Sequence, residues 1–127
     1  MQDRVTFEYA IIRVVPRVER EEFFNVGVIL FSKRKKFLGI KYAIDPAKLK
    51  AFSEKIEIEL LESYLNAWRL ICEGGAEGGR IGEMELSDRF RWLAASRSTI
   101  IQSSNTHPGL CDDPEGNLEE IFEKYVL

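Results

Sequence analysis

Apolar residues fall into a few runs along this chain, set apart by polar or charged segments. Phe7 to Val15 (FEYAIIRVV) is apolar on both faces of an extended chain, is broken only by charged Glu8 and Arg13, and closes at Pro16. Such a run predicts a strand in a sheet interior. Arg17 to Glu22 reads as a charged connection. Phe23 to Phe31 (FFNVGVILF) is β-branched and aromatic on both faces and predicts a second interior strand. Gly27 inside it marks a close backbone approach or a bulge. Ser32 to Lys36 (SKRKK) reads as a solvated turn. Leu38, Ile40, Tyr42 and Ile44 then alternate with Gly39, Lys41 and Ala43 as a third strand. Three strands joined by short links predict an antiparallel meander.

Beyond Ile44 the period changes. Asp45-Pro46 supplies an N-cap and a first-turn proline, which predicts a short helix to about Phe52. A longer helix is expected over Glu54 to Glu73. Its apolar stripe would be Ile56, Leu60, Leu61, Tyr64, Leu65, Trp68, Ile71 and Cys72. Gly74-Gly75 ends it, and the glycine-rich stretch to Gly79 reads as a flexible loop. Leu86 to Ala95 predicts a short helix and Ser98 to Gln102 a short fourth strand. Asp113-Pro114 repeats the helix-start signature, and Leu118, Ile121, Phe122 and Tyr125 mark the face of a last helix. The expected fold is α+β: a small antiparallel sheet in β-β-β-α-β-α order, with helices packed on one face.

With 127 residues, 45% of them hydrophobic, the chain is expected to form one domain with a real core. Two cysteines are too few for a disulfide scaffold. No leader pattern or membrane-length apolar run is present, so a cytoplasmic location is the default expectation. Residues 1–50 hold 11 Lys and Arg against 6 Asp and Glu, whereas residues 51–127 hold 7 against 15. This balance argues against general nucleic-acid binding, which rests on phosphate neutralisation. A local basic patch could still steer an anionic partner.

The densest group of polar side chains lies between Phe90 and Pro114. Arg91, Arg97, Ser98, Gln102, Ser103, Ser104 and His107, joined by Arg13 from the first strand, could form an anion-binding surface, because guanidinium, hydroxyl and amide groups match phosphate or carboxylate oxygens. Alternatively, Arg91 and Arg97 pair with glutamates of the long helix, and Arg13 lays its stem along the sheet with its head in water. Trp92, between two arginines, is either an exposed anchor or buried under the sheet. His107 precedes Cys111 by four residues, but a nucleophilic pair needs apposition across a Pro108-Gly109 turn. His107, Cys111, Asp112 and Asp113 lack the second paired motif of a zinc site, so no metal or cofactor is expected.

Asn25-Val26-Gly27, Arg91-Trp92, Arg97-Ser98 and Gly109-Leu110-Cys111 together resemble an uncharacterised bacterial family, the domain of unknown function DUF3037, over Tyr9 to Phe122. The resemblance implies a compact bacterial domain and supplies no chemistry. Two readings follow. One is a non-catalytic interaction or regulatory module for a partner protein or small anion. The other is an enzyme acting on a phosphorylated or nucleic-acid substrate around Arg97 and His107.

Overall fold

The computed structural model describes residues 4–16, 22–95 and 100–127. The expected connection at Arg17 to Glu22 therefore lies outside the described residues except for Glu22. The α+β class holds. Among the described residues, five antiparallel strands form one sheet: β1 (Val5–Val14), β2 (Phe24–Ser32), β3 (Phe37–Tyr42), β4 (Ile101–Ser103) and β5 (His107–Cys111). The order is β3-β2-β1-β4, and β5 continues beside β1 after β4. Helices are α1 (Pro46–Phe52), α2 (Ile58–Glu73), α3 (Gly79–Gly82), α4 (Leu86–Ala94) and α5 (Pro114–Tyr125).

β1 is central, and its two-sided apolar pattern has a direct cause. Ala10, Ile12 and Val14 are buried in one cluster with Leu49, Leu61, Leu65, Trp68, Phe90 and Leu93, under α1, α2 and α4. Phe7 and Ile11, on the opposite face, join Val28, Leu30, Cys111, Leu118 and Phe122 under α5. The expectation of helices on one face thus describes α1, α2 and α4, and α5 adds a layer on the other. The sequence order gave no means of choosing a face for a final helix.

Gly27 meets both of its expectations. A Cβ there would lie 2.7 Å from the Lys41 carbonyl oxygen. Beside it the register slips: Ile12 faces Gly27 while Arg13 faces Asn25, which leaves Val26 as the extra residue of a bulge. The Ser32 to Lys36 turn is corrected at its first residue. Ser32 ends β2, is fully buried, and donates its hydroxyl to the Thr6 carbonyl at 3.2 Å.

The long helix starts at Ile58, later than expected. Ser53 is extended, and Ile56 is buried in the turn that precedes the helix. Its buried residues are Leu61, Leu65, Trp68, Ile71 and Cys72. Leu60 and Tyr64 sit one residue, or about 100° of helix, off that line and are 39% and 42% exposed. The glycine-rich stretch is folded rather than open. Ala76–Gly78 forms a 3₁₀ turn, α3 follows, and the Gly75 N–H donates to the Gly82 carbonyl at 2.8 Å. Gly74 and Gly75 take φ of +83° and +98°, conformations that favour glycine at a helix end.

β5 was not expected. The presumed Pro108-Gly109 turn is strand, with Pro108 facing Glu8 and Gly109 facing Phe7. Ser104 fixes which groups point where. Its N–H donates to the Ile11 carbonyl, and its hydroxyl accepts from the Ile11 N–H, both at 2.8 Å. Alternate residues of β1 therefore bond toward β4 and β5, which turns the backbone of Pro108 outward. A proline lacking its N–H is tolerated there.

Leu65→Ala should lower unfolding free energy by about 2–5 kcal/mol, since Leu65 is fully buried. Leu60→Ala should change it by no more than about 0.5 kcal/mol. Urea unfolding of both variants checks this, and equal losses would contradict the placement of α2.

Candidate functional site

Three polar side chains stand side by side where the sheet passes the end of α5. Arg13 on β1 faces Asn25 on β2 and Gln102 on β4. Facing residues of neighbouring strands share a side of the sheet, so all three point to the α5 side. The bulge at Val26 brings Asn25 into that row. Without the extra residue, the period of two would put Asn25 on the opposite face.

The Arg13 guanidinium lies over the half-exposed Phe23 ring, 4.0 Å from its centroid. Stacking of this kind holds the planar fork and leaves its edges for hydrogen bonding. Asn25 Nδ2 donates to the Tyr125 carbonyl at 3.1 Å, in the last turn of α5. That bond sets the orientation of the carboxamide, since the reverse would place oxygen against oxygen. Arg13 Nε and Asn25 Oδ1 are both buried, and neither has a hydrogen-bond partner among the described residues. A donor and an acceptor are thus left unused on adjacent strands, at a cost of about 1–3 kcal/mol for each buried group.

An aromatic group continues the surface. The Tyr9 ring is 5.3 Å from the His107 ring and 6.5 Å from the Tyr125 ring. Burial, and then a hydrogen bond to Tyr125, hold the Tyr9 hydroxyl above its ordinary pKa. His107 faces Tyr9 across the strand pair and is exposed.

Of the residues read from sequence, the fold brings Arg13 and Gln102 together and places His107 on β5, further along β1 beside Tyr9. Arg91 and Trp92 lie on α4, the helix packed on the opposite face. Arg91 is exposed and Trp92 half-buried against that core. Arg97 and Ser98 lie outside the described residues. The arginine that serves the long helix is Arg89, which donates to the Ile71 and Cys72 carbonyls at 2.8 and 3.0 Å at the end of α2. Asn25 and Phe23 were missed as site residues. Their signal was a single carboxamide in an otherwise apolar strand.

The possible His107–Cys111 pair does not form. The two residues end a five-residue strand, so about 13 Å of extended backbone separates them. Burial raises the Cys111 thiol pKa, against the opposing influence of the Lys35 charge and a bond to Ser32. Burial also pushes Cys72 up to about 12. Neither thiol is activated as a nucleophile. The described residues contain no group of three or more His, Cys, Asp or Glu arranged to hold a metal ion. No helix among them is long and apolar enough to cross a membrane.

A family described as Protein of unknown function (DUF3037) matches residues 9–126, which include every member of the Arg13 row and its aromatic neighbours. The chain belongs to this family. No curated protein and no solved structure matches it. Membership in DUF3037 assigns no reaction, so any function must be argued from the site.

At about pH 8, iodoacetamide should leave both thiols of the native protein unmodified while alkylating both in urea. Rapid native labelling would contradict their burial. The Cys72 contribution to stability is present below about 9, the ordinary thiol value, and should be lost as pH rises toward about 12. Cys72→Val should flatten the stability profile across that window.

Proposed function

We propose that this DUF3037 protein is a non-catalytic binding module whose recognition surface is the row Arg13, Asn25 and Gln102 with Phe23 beside it. The observation that carries this reading is the juxtaposition of two buried, unused polar atoms, Arg13 Nε and Asn25 Oδ1. A fold selected only for stability gains nothing from such a pair, because apolar replacement would remove the desolvation cost. A ligand that accepts from Arg13 relieves the donor half of that cost, and a donor on the same ligand would relieve Asn25. The matching chemistry is a carboxylate or phosphate oxygen presented by a partner protein or a small anion, held by the fork and backed by the Phe23 ring. Neighbouring Tyr9 and Tyr125 add rigid aromatic area of the kind that anchors interfaces.

The enzyme reading asks for an activated group beside Arg97 and His107. The thiol nearest in sequence to His107, Cys111, is buried, whereas the Arg13 row carries a buried donor and a buried acceptor that are both unused among the described residues. The binding reading is therefore preferred.

The test is a nuclear magnetic resonance titration with acetate and, separately, inorganic phosphate. The Arg13 Nε–H and Asn25 carboxamide signals should move together and saturate. Arg13→Met keeps the stem and removes the fork. It should abolish the response and leave Tm unchanged or raised, because no protein hydrogen bond from Nε is lost. Flat signals in the native protein, or an Arg13→Met variant that melts well below it, would overturn the proposal.

A further inference from the structure

The two edges of the sheet are built differently. Along β4 and β5 the edge is interrupted: three residues, 104–106, stand opposite Ala10 and Ile11, and Pro108 turns its ring outward. Bulges and prolines are the usual means of blunting an edge. The β3 edge carries neither. The Ala43 N–H donates to the Val26 carbonyl at 2.9 Å, and the register continues without slip from Tyr42 facing Gly27 to Phe37 facing Ser32. In an antiparallel pair, bonding alternates. Phe37, Gly39, Lys41 and Ala43 therefore bond inward to β2, while Leu38, Ile40 and Tyr42 turn their N–H and C=O groups outward. No hydrogen bond among the described residues reaches those outward groups.

This edge lies in a trough. Tyr42 and Ile44 meet Glu59, Glu62 and Asn66 of α2 in a cleft of about 600 Å³. Leu38 to Lys41 meet the end of α2 and the start of α5 in a second cleft of about 300 Å³. We propose that β3 accepts an extended segment of a partner protein as an added strand, with basic side chains directed at α2 and apolar ones at α5.

Three observations select that occupant. The first is charge. The two cations of the trough are already paired, Lys41 with Glu119 and Arg69 with Glu73. Glu59 and Glu62 have no ion pair among the described residues and are exposed. The second is alternation. Side chains of an added strand would point by turns to the acidic α2 wall and to the α5 wall, where Phe37 and Leu118 offer apolar surface. The third excludes a second copy. Neighbouring strands lie about 4.8 Å apart, whereas packed helices need about 8–10 Å. Since α2 packs along β3, edge-to-edge pairing of two copies would bring two α2 helices into the same space.

The probe is an acetylated seven-residue peptide of alternating lysine and valine. On addition, the amides of Leu38, Ile40 and Tyr42 should gain hydrogen-exchange protection, and those of Gly39 and Lys41 should not change. A peptide N-methylated on its bonding edge, or one with glutamate in place of lysine, should not bind. The double substitution Glu59→Lys, Glu62→Lys should weaken binding on the order of tenfold without changing the fold, since both side chains are exposed. Equal binding of the N-methylated peptide would overturn the proposal, as would perturbation confined to other residues. So would protection of Leu38, Ile40 and Tyr42 in a concentration-dependent dimer without peptide.

Discussion

Every layer of this protein depends on β1 being hydrogen-bonded along both edges and buried on both faces. A buried backbone is tolerable only when its N–H and C=O groups are paired. β2 satisfies one side of β1 and the β4–β5 segment the other, although these partners are far apart in sequence. Where the second ladder is broken, the Ser104 hydroxyl accepts the Ile11 N–H in place of a carbonyl. With its backbone satisfied, β1 can direct Ala10, Ile12 and Val14 into one core and Phe7 and Ile11 into the other. Loss of either partner strand would expose both cores together.

The ladders on the two sides of β1 are disturbed at nearly the same level, by Val26 in β2 and by residues 104–106 between β4 and β5. Bulges bend strands and re-aim side chains. Here they coincide with the one place among the described residues where polar side chains line up across three strands. Arg89 and Arg13 make the contrast plain. Arg89 spends its donors on helix-end carbonyls, so its role is complete within the fold. Arg13 keeps a buried donor beside a buried acceptor, neither used within the described residues. The first arrangement is explained by stability, and the second is the observation on which the proposed binding role rests.

Much of the sheet was legible in the sequence. Two-sided apolar runs mark interior strands because both faces of such strands are covered, and FEYAIIRVV and FFNVGVILF are interior strands. Asp45 caps α1 by accepting the Lys48 N–H, as its place before Pro46 implied. β5 was hidden because HPGLC carries turn residues. Pro108 is allowed in a strand only because it faces outward, and Gly109 only because the Phe7 ring occupies the space of its missing side chain. Both facts depend on a strand about a hundred residues earlier. The phase error at Leu60 and Tyr64 arose because the apolar stripe of α2 is wider than the surface it covers. For the site, sequence offered Arg13, Gln102 and His107 among other polar residues. Their grouping comes from register, which composition does not contain.

The charge asymmetry of the chain also acquires a place. Its basic half builds the hairpin of β2 and β3, with Lys33 to Lys36 exposed at the tip, and its acidic half supplies α2 and α5. Lys41 on β3 and Glu119 on α5 join the two halves between sheet and helix, but exposed pairs of this kind contribute little to stability. Separation of charge between sheet tip and helices is better understood as a field around the molecule than as an element of its folding. Such a field orients an approaching chain before contact. Under the two proposals above, it would favour a partner whose cations run along α2 and leave the Arg13 row, on the far side of β2, for an anion. The two surfaces thus differ in the sign of the group they suit, so one partner bearing both signs could engage both only by crossing the sheet.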